Sequence, residues 1–333
     1  MLIGDLPRVR LAYLPTPLEE APRLSEYLGG PRILIKRDDL TGLALGGNKA
    51  RKLEFLMADA HRRGCDVVVT VGAVQSNHAR MTAAAARRLG MTAVLVLGGP
   101  QPPAYEGNVL LDNLFGAELR FVDAEEDYVM DGVLEDTARE YQRRGHRPYV
   151  IPRGGSNALG AAAYLAAFGE FAAQCNQMGV RPAAVVHTSS SGGTQSGLLT
   201  GALLARAGVR VIGVSAGPPR EVCTHRIRGI VAEMSERLGL DFRLHEDDVV
   251  VHDEFVGPGY AIPTPECIAA IRLVARTEGV LLDPVYTGKG MAGLMAMIRQ
   301  GRFARDDAVV FWHTGGQPGL FAFRAALEER FGA

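Results

Sequence analysis

Short apolar runs, rich in β-branched residues, alternate with longer helical segments along almost the whole chain, and this alternation limits the possible folds more than any other feature. The runs are nearly continuous in apolar residues, which indicates strands buried on both faces, as in parallel sheets covered by helices. A β-α-β-α order of such strands predicts an α/β fold with open twisted parallel sheets flanked by helices. The nine predicted strands are RILIKRD (32–38), DVVVTVG (66–72), TAVLVLG (92–98), ELRFVD (118–123), RPYVIP (147–152), AAVVHTS (183–189), VRVIGVS (209–215), DVVVHD (248–253) and AVVFWHT (308–314).

Nine strands in 333 residues fit two lobes better than a single sheet, although no glycine- or proline-rich linker marks a boundary. In open α/β sheets, ligands bind beyond the carboxyl ends of the strands, so the strand-to-helix turns are the positions of interest. Five turns rich in small polar residues are present: GGNK (46–49), GAVQSNH (72–78), RGGSN (153–157), TSSSGGTQSG (188–197) and HTGGQPG (313–319).

The composition indicates a small-molecule partner. The formal net charge is −1 and aromatic residues make up 7% of the chain, which gives neither the field nor the stacking side chains typical of nucleic-acid binding. No run approaches the ~20 apolar residues needed to cross a membrane, and the N-terminal segment does not resemble a signal peptide. The four cysteines and the histidines show no metal-ligand spacing. We therefore expect a cytoplasmic protein that binds no nucleic acid, membrane or metal.

The turn TSSSGGTQSG, called here the serine-glycine turn, has the composition of an anion site. Gly192 and Gly193 permit close approach of the backbone, and hydroxyl groups surround them at a predicted helix N-terminus. Such a site suits a phosphate, although the sequence lacks GxxxxGK[ST], GxGxxG and GxSxG. A glycine turn with Ser and Thr as helix caps explains the same residues, so this turn alone leaves both interpretations open.

The segment LGGNKARKLEFL (45–56) places Lys49, Arg51 and Lys52 in the first turn of a predicted helix, where the helix dipole disfavours cations. An amine held there beside two other cations is expected to have a depressed pKa. Such an amine is a nucleophile for carbonyl groups. A solvated surface lysine is the simpler alternative. An activated lysine combined with a phosphate site indicates pyridoxal 5′-phosphate (PLP), a cofactor that needs both.

Six segments in order resemble the D-cysteine desulfhydrase and 1-aminocyclopropane-1-carboxylate (ACC) deaminase family of PLP enzymes, which has the tryptophan-synthase-β fold (fold type II). The resemblance extends from about residue 8 to the C-terminus, and the ordered set is far more specific than any one motif. The segments are KRDDLTGLALGGNKARKLEFL (36–56), GAVQSNHARMTAAAA (72–86), PRGGSNALGAAAY (152–164), SSSGGTQSGL (189–198), LLDPVYTGKGMAGL (281–294) and WHTGGQPGL (312–320).

The resemblance implies roles for the residues at matching positions. Lys49 would bind PLP covalently and act in catalysis together with Ser76 and Tyr286. The other cofactor-binding residues would be Asn77, Ser190, Ser191, Gly192, Gly193, Thr194 and Thr314. The substrate, a small amino acid, would contact Ser76, Asn77, His78, Tyr260, Tyr286 and Thr287.

The resemblance also implies how the chain is organised. A large PLP-binding domain would consist of residues 1–50 and 161–333, with a small α/β domain, residues 51–160, inserted into it. The active site would then lie in the cleft between the two domains. The family further implies a homodimer.

Three positions distinguish the activities within this family. The deaminases resemble DPVYEGK and HLGG where this chain has Thr287 and Thr314, and they have glutamine in place of His78. A carboxylate beside the pyridine nitrogen would keep it protonated and strengthen its electron withdrawal, whereas a threonine hydroxyl would not. Expelling sulfide needs less electron withdrawal than opening a strained ring. We therefore expect PLP-dependent β-elimination that converts D-cysteine to pyruvate, sulfide and ammonia.

Other activities stay open as alternatives. ACC deaminase is one, and L-cysteate sulfo-lyase is another, because cysteate also has a β-leaving group. A non-catalytic α/β protein that binds a nucleotide phosphate would leave the predicted catalytic residues unexplained.

Overall fold

In the computed structural model the described residues, 3–124 and 127–328, form two sheets covered by helices. The strands are β1 (Leu18–Glu20), β2 (Arg32–Arg37), β3 (Val67–Ala73), β4 (Thr92–Gly98), β5 (Glu118–Val122), β6 (Pro148–Ile151), β7 (Pro182–Ser189), β8 (Arg210–Ser215), β9 (Val250–His252) and β10 (Ala308–His313). The helices are α1 (Pro22–Leu28), α2 (Lys49–Arg62), α3 (Asn77–Arg88), α4 (Gly107–Leu114), α5 (Asp127–Arg143), α6 (Ala158–Met178), α7 (Gly193–Leu204), α8 (Arg220–Leu238), α9 (Pro265–Glu278), α10 (Thr287–Arg299), α11 (Gly319–Ala322) and α12 (Arg324–Leu327). Short 3₁₀ helices span Ile3–Asp5, Asp38–Leu40, Leu43–Leu45, Arg153–Gly155 and Glu246–Asp248.

The larger sheet has the strand order β1-β2-β10-β7-β8-β9, and the smaller has the order β5-β4-β3-β6. All pairs are parallel except β1 with β2, where Leu18 lies opposite Lys36 in an antiparallel arrangement. The predicted class, α/β with parallel sheets flanked by helices, is confirmed, and each predicted run contains a strand. The sequence pattern does not predict β1, because its three residues, LEE, form no apolar run.

The two sheets come from different parts of the chain. The strands of the smaller sheet span residues 67–151, whereas those of the larger sheet lie before and after this stretch. This arrangement is compatible with an inserted domain. Its predicted boundaries at residues 51 and 160 stay a prediction.

Successive residues of a strand pack into different hydrophobic layers. In β10, Val309 and Phe311 belong to a layer that includes Leu294 of α10. The intervening residues Val310 and Trp312 belong to a second layer, built with α6, α7 and α8. Because side chains of a strand alternate between the two faces of the sheet, a strand covered on both faces must be apolar throughout, which explains the continuous apolar runs.

The turns that follow the strands lie where a ligand site is expected. β3 ends at Ala73 and α3 begins at Asn77, while β7 ends at Ser189 and α7 begins at Gly193. Strand ends of both sheets thus present small polar residues near the start of α2. None of the described helices has the length and apolar character required to cross a bilayer.

Candidate active site

A cavity of about 610 Å³ opens at the carboxyl ends of strands from both sheets. The smaller sheet contributes Gly72 and Ala73 at the end of β3. The larger sheet contributes Thr188 and Ser189 at the end of β7, and Thr314 directly after β10. Open α/β sheets bind ligands at this position, and the volume is that of a site for a cofactor or another small molecule.

The structure brings most of the predicted site residues to this one cavity. Two of them do not line it: Gly193, which is buried within the serine-glycine turn, and Thr287, which is fully buried at the start of α10. Their roles, and those of the residues that do line the cavity, stay predictions. The predicted residues that line the cavity are Lys49, Ser76, Asn77, His78, Ser190, Ser191, Gly192, Thr194, Tyr260, Tyr286 and Thr314.

Lys49 is the first residue of α2, and its Nζ donates a hydrogen bond to Asn48 Oδ1 (2.8 Å). Asn48 Nδ2 in turn donates to Thr194 Oγ1 (3.1 Å), next to the start of α7. Burial, and after it the charge of Arg80, lowers the pKa of Lys49 to about 8, although Asp283 acts in the opposite direction. A nucleophilic amine is therefore connected through one side chain to the turn that is predicted to bind a phosphate.

Arg51 has a different environment from Lys49. Its guanidinium contacts Asp38 (2.9 Å) and Glu170 (2.8 Å), and all three side chains are largely or fully buried. Asp38 also accepts hydrogen bonds from Tyr164 (2.6 Å) and Trp312 (2.8 Å). The charge of Arg51 is thus fully paired within the protein, and Arg51 does not line the cavity.

Lys52 is fully buried, and no carboxylate of the described chain lies within ion-pair distance of it. Its Nζ donates to the backbone oxygen of Gly154 (3.1 Å) and to Ser156 Oγ (3.0 Å). Burial, and after it the charge of Lys49, lowers the pKa of Lys52 well below its ordinary value. A bound anion would offset the cost of burying this ammonium group.

The serine-glycine turn completes this anion site. The Ser156 hydroxyl lies 2.7 Å from Ser191 Oγ and accepts a hydrogen bond from the Gly193 N–H (3.3 Å). A Cβ atom at Gly193 would lie 2.7 Å from Ser156 Oγ and 2.9 Å from Lys52 Nζ, so a larger residue there would displace both groups. Hydroxyl groups, the N-terminal N–H groups of α7 and a buried amine together fit a phosphate.

The start of α3 presents a hydroxyl and an amide to the cavity. Ser76 is the N-cap of α3, and its Oγ accepts a hydrogen bond from the Ala79 N–H (3.2 Å). Asn77 Oδ1 accepts hydrogen bonds from Arg80 Nη1 (3.3 Å) and Asn108 Nδ2 (3.1 Å). With its oxygen occupied on the protein side, the Asn77 amide can offer its NH₂ group to a ligand.

His78 is held as a neutral imidazole. Thr70 Oγ1 donates its proton to the backbone oxygen of Ile151 (2.8 Å), so it must accept from His78 Nε2–H (2.8 Å). Burial, and after it the charges of Lys49 and Lys52, lowers the pKa of His78 well below 6.5. The other ring nitrogen, Nδ1, is buried without a hydrogen-bond partner in the described chain and is therefore an unused acceptor.

Tyr286 and Tyr260 form a hydroxyl–hydroxyl hydrogen bond, and their ring centroids are 5.8 Å apart. Burial, and after it the neighbouring Tyr260, raises the pKa of Tyr286 well above 10, so this phenol stays protonated. Thr287 is turned away from the cavity because its Oγ1 and N–H both donate to Asp283 Oδ1 (2.7 and 2.8 Å). Asp283 thereby caps α10, which explains why Thr287 does not line the cavity.

Sequence reasoning missed four residues that support this site: Asn48, Lys52, Ser156 and Arg80. Arg80 is fully buried, holds Asn77 and donates to the backbone oxygen of Gly46 (2.7 Å), and burial lowers its pKa to about 10. The only signal for Lys52 was its place in the cationic cluster with Lys49. Among the described residues, no three His, Cys, Asp or Glu side chains are grouped as metal ligands.

Comparison with known proteins supports one family. Residues 9–315 match the family described as pyridoxal-phosphate dependent enzyme. The chain is 45% identical over 322 residues to the D-cysteine desulfhydrase of Salmonella newport, covering 95% of this chain and 96% of that protein. It is 41% identical over 328 residues to a putative ACC deaminase of Pyrococcus abyssi, covering 98% and 97%. A crystal structure of an ACC deaminase homologue superposes with a TM-score of 0.91 at 40% identity, covering 98% and 96%.

Proposed function

The chain belongs to the pyridoxal-phosphate dependent enzyme family, and from this premise we propose that it is a D-cysteine desulfhydrase. The proposed reaction converts D-cysteine and water to pyruvate, hydrogen sulfide and ammonia. The charge of the cavity carries the proposal. Lys49, Arg153 and Arg226 line it, whereas no aspartate or glutamate of the described chain does. Such a site favours a cofactor phosphate and a substrate carboxylate, and it offers no acid to the cofactor ring.

PLP is the cofactor of this family, and the residues present fit it. When bound, PLP supplies an aldehyde that condenses with amines and a ring that withdraws electrons from the substrate's α-carbon. Lys49 would provide the amine for that aldehyde. The serine-glycine turn and Lys52 would hold the phosphate, while the NH₂ group of Asn77 would donate to the ring oxygen.

The lack of an acid in the lining favours elimination of sulfide. The deaminases of this family resemble DPVYEGK, with a carboxylate, where this chain has Thr287, and HLGG where it has Thr314, which lines the cavity. A threonine hydroxyl cannot hold a positive charge on the ring nitrogen as a carboxylate would. A leaving group that departs readily is therefore a better match for this site than a strained ring that has to open.

Lys49 is the residue best suited to move the substrate's α-proton. With a pKa of about 8, its amine has an accessible unprotonated form near neutral pH. Ser76 also lines the cavity and is the second candidate for this proton, because its Oγ can accept a hydrogen bond. The protonated Tyr286, directly before α10, and its hydrogen-bond partner Tyr260, in the segment before α9, would also contact the substrate.

Two other activities have specific support. Arg153 and Arg226 both line the cavity and would suit a second anionic group such as the sulfonate of L-cysteate. The ACC deaminase names of the Pyrococcus abyssi relative and of the homologous crystal structure support ring opening. Each activity releases a different product, so one set of assays separates all three.

We also propose that the protein works in the cytoplasm as a homodimer. Its four cysteines are free thiols, as expected in a reducing compartment. The resemblance to the desulfhydrase and deaminase family supports the dimer. Light scattering on the purified protein would measure the oligomeric state directly.

The test of the function uses the purified protein and the variant Lys49→Ala. We expect the wild-type protein to be yellow and to release sulfide from D-cysteine, and Lys49→Ala to lose both the colour and the turnover. L-Cysteate and ACC are assayed in parallel for sulfite and 2-oxobutyrate. Full colour and activity in Lys49→Ala would refute the role of Lys49. If sulfite or 2-oxobutyrate is released faster than sulfide, the preferred substrate is L-cysteate or ACC, respectively, and not D-cysteine.

A further inference from the structure

A second buried lysine lies close to the cavity without lining it. Lys289, in α10, is fully buried, and its Nζ donates to the backbone oxygens of Val256 (2.7 Å) and Gly259 (2.7 Å). A longer hydrogen bond reaches the backbone oxygen of Ala216 (3.4 Å). Three acceptors match the three N–H donors of an ammonium group, so this side chain is bound entirely by backbone oxygens of two separate segments.

These two segments position Tyr260. Val256 and Gly259 belong to the segment that leads into Tyr260, and Ala216 directly follows β8. Gly217, the next residue, lies beneath Tyr260, because a Cβ atom there would be 2.8 Å from Tyr260 Cβ. The ammonium of Lys289 therefore joins both sides of the surface on which the Tyr260 side chain rests.

The backbone of this segment needs such a restraint. Ala261 has a φ of 59°, a left-handed conformation that is unfavourable for a residue with a Cβ atom. Tyr260 itself is 36% exposed, so packing alone holds it weakly. A strained conformation persists only where surrounding contacts impose it, and the hydrogen bonds from Lys289 are contacts of that kind.

The charge of Lys289 is expensive to bury. No carboxylate of the described chain lies within ion-pair distance of its Nζ, so the ammonium is stabilised by backbone dipoles and, from a greater distance, by the charge of Asp283. An apolar side chain of similar volume would fill the same space without that cost. The presence of a lysine at this buried position is therefore better explained by the segment that its ammonium positions than by a contribution to stability.

We propose that Lys289 is a positioning residue for the substrate side of the active site: its ammonium fixes the 256–259 segment on α10 and so holds the Tyr260 hydroxyl against Tyr286. Tyr286 directly precedes α10, and Lys289 is the third residue of that helix, so both anchors of Tyr260 belong to one rigid element. The effect on catalysis rests on the proposed function, but the restraint of the segment does not.

The first test measures amide hydrogen exchange by mass spectrometry in the cofactor-loaded protein. We expect Lys289→Met, which keeps the volume and removes the donors, to raise exchange in peptides covering 254–262 by roughly tenfold or more. The matched control is Lys36→Met. Lys36 is equally buried, but it binds the backbone oxygen of Thr16 and the side chains of Glu170 and Gln174, so exchange in 254–262 should not change. Unchanged exchange in Lys289→Met would overturn the proposal.

The second test is a double-mutant cycle on kcat/KM for D-cysteine. If Lys289 acts through Tyr260, then Lys289→Met in a Tyr260→Phe background should cost far less than in the wild type. The losses from Lys36→Met and Tyr260→Phe should instead multiply. If the fold-losses in kcat/KM of Lys289→Met and Tyr260→Phe multiply in the double variant, the two residues act independently and the proposal is overturned. If Lys289→Met does not fold, Lys289→Gln takes its place in both tests. A wild-type protein without turnover would refute the proposed function and leave the exchange result standing.

Discussion

The cations on the two sides of the first turn of α2 differ in whether the protein provides an acid to pair with them. On one side, Arg51 is surrounded by acids and contacts both Asp38 and Glu170. On the other side, Lys49 lines the cavity and the buried Lys52 lies beside the serine-glycine turn, with no carboxylate of the described chain in ion-pair contact with either lysine. At this helix turn, the cation that the protein itself neutralises stabilises the fold, whereas the two cations left without an acid lie where an anionic ligand is expected.

The paired side is built as a closed network. Although burial alone would raise it, the pKa of Asp38 is held below its ordinary value, mainly by the charge of Arg51. Besides Arg51, Asp38 accepts hydrogen bonds from Thr16 (2.9 Å), Tyr164 and Trp312. These donors come from four separate parts of the chain. The network therefore ties the start of α2 to α6 and β10, and it gives Lys49 a rigid base.

The largest expected effect comes from breaking the paired side. Arg51→Met would leave Asp38 buried without its direct ion-pair partner and with only the more distant charge of Lys36, and we expect the free energy of unfolding to fall by about 3–5 kcal/mol. Urea unfolding followed by circular dichroism measures this change. Arg139→Met is the control, because Arg139 forms only exposed ion pairs with Glu135 and Asp136 and its loss should be hardly measurable. Equal effects of the two substitutions would show that the Arg51 network does not support the fold.

A smaller effect is expected on the unpaired side, and it concerns binding. If Lys52 contacts the cofactor phosphate, Lys52→Met should remove a charged hydrogen bond worth about 1.5–3 kcal/mol, which is roughly 10- to 100-fold in the Kd for PLP. Absorbance titration of the apoprotein measures the Kd. Pyridoxal, which has the aldehyde and lacks the phosphate, is the ligand control, because its affinity should not change. An equal loss for PLP and pyridoxal would place Lys52 away from the phosphate.

The meeting of the small polar turns at one cavity could be predicted from the sequence. Carboxyl ends of parallel strands share one edge of a sheet, so the turns after β7 and β10 of the larger sheet had to lie close together. The turn after β3 belongs to the smaller sheet, and only the family resemblance, which implies a site between two domains, predicted that it would join them. Residues as far apart as Ser76, Ser191 and Thr314 line the same cavity. The depressed pKa of Lys49 was also predicted, but its causes are burial and the charge of Arg80 rather than the neighbouring Arg51 and Lys52.

Pairings across the fold could not be predicted from the sequence. The partner of Arg51 in α6, Glu170, lies 119 residues away, and the Lys52 contact with Gly154 spans 102 residues. Local pattern cannot choose among acids at such separations, because the choice depends on how α2 packs against α6 and the 153–157 turn. The direction of the Thr287 hydroxyl could not be predicted either, because it depends on the hydrogen bond to Asp283 at the start of α10.

The smallest expected effect is on the pH dependence of stability. It distinguishes the two sides of the first turn of α2, because Lys49 titrates in the accessible pH range and Arg51 does not. In the folded apoprotein the pKa of Lys49 is lowered from 10.5 to about 8. Between these two pH values the unfolded chain binds more protons at this residue than the folded chain does. The free energy of unfolding should therefore rise with pH in this window, whereas below about pH 8 the residue adds no slope. The guanidinium of Arg51 stays charged throughout, so the paired side contributes nothing to the rise.

Urea unfolding of the apoprotein at several pH values from about 7 to 10 measures this slope. Lys49→Met should have a flatter curve than the wild type, because the titrating amine is gone. Arg51→Met should be less stable at every pH and keep the slope of the wild type. Lys52 contributes a rise of the same sign, and its contribution should be smaller in Lys49→Met because the charge of Lys49 is one cause of its lowered pKa. Both changes flatten the curve of the variant, so a difference between the two curves reports a Lys49 amine with a lowered pKa. Parallel curves for these two proteins would mean that the Lys49 amine titrates normally, and it would then lack the unprotonated form that both cofactor attachment and proton removal require.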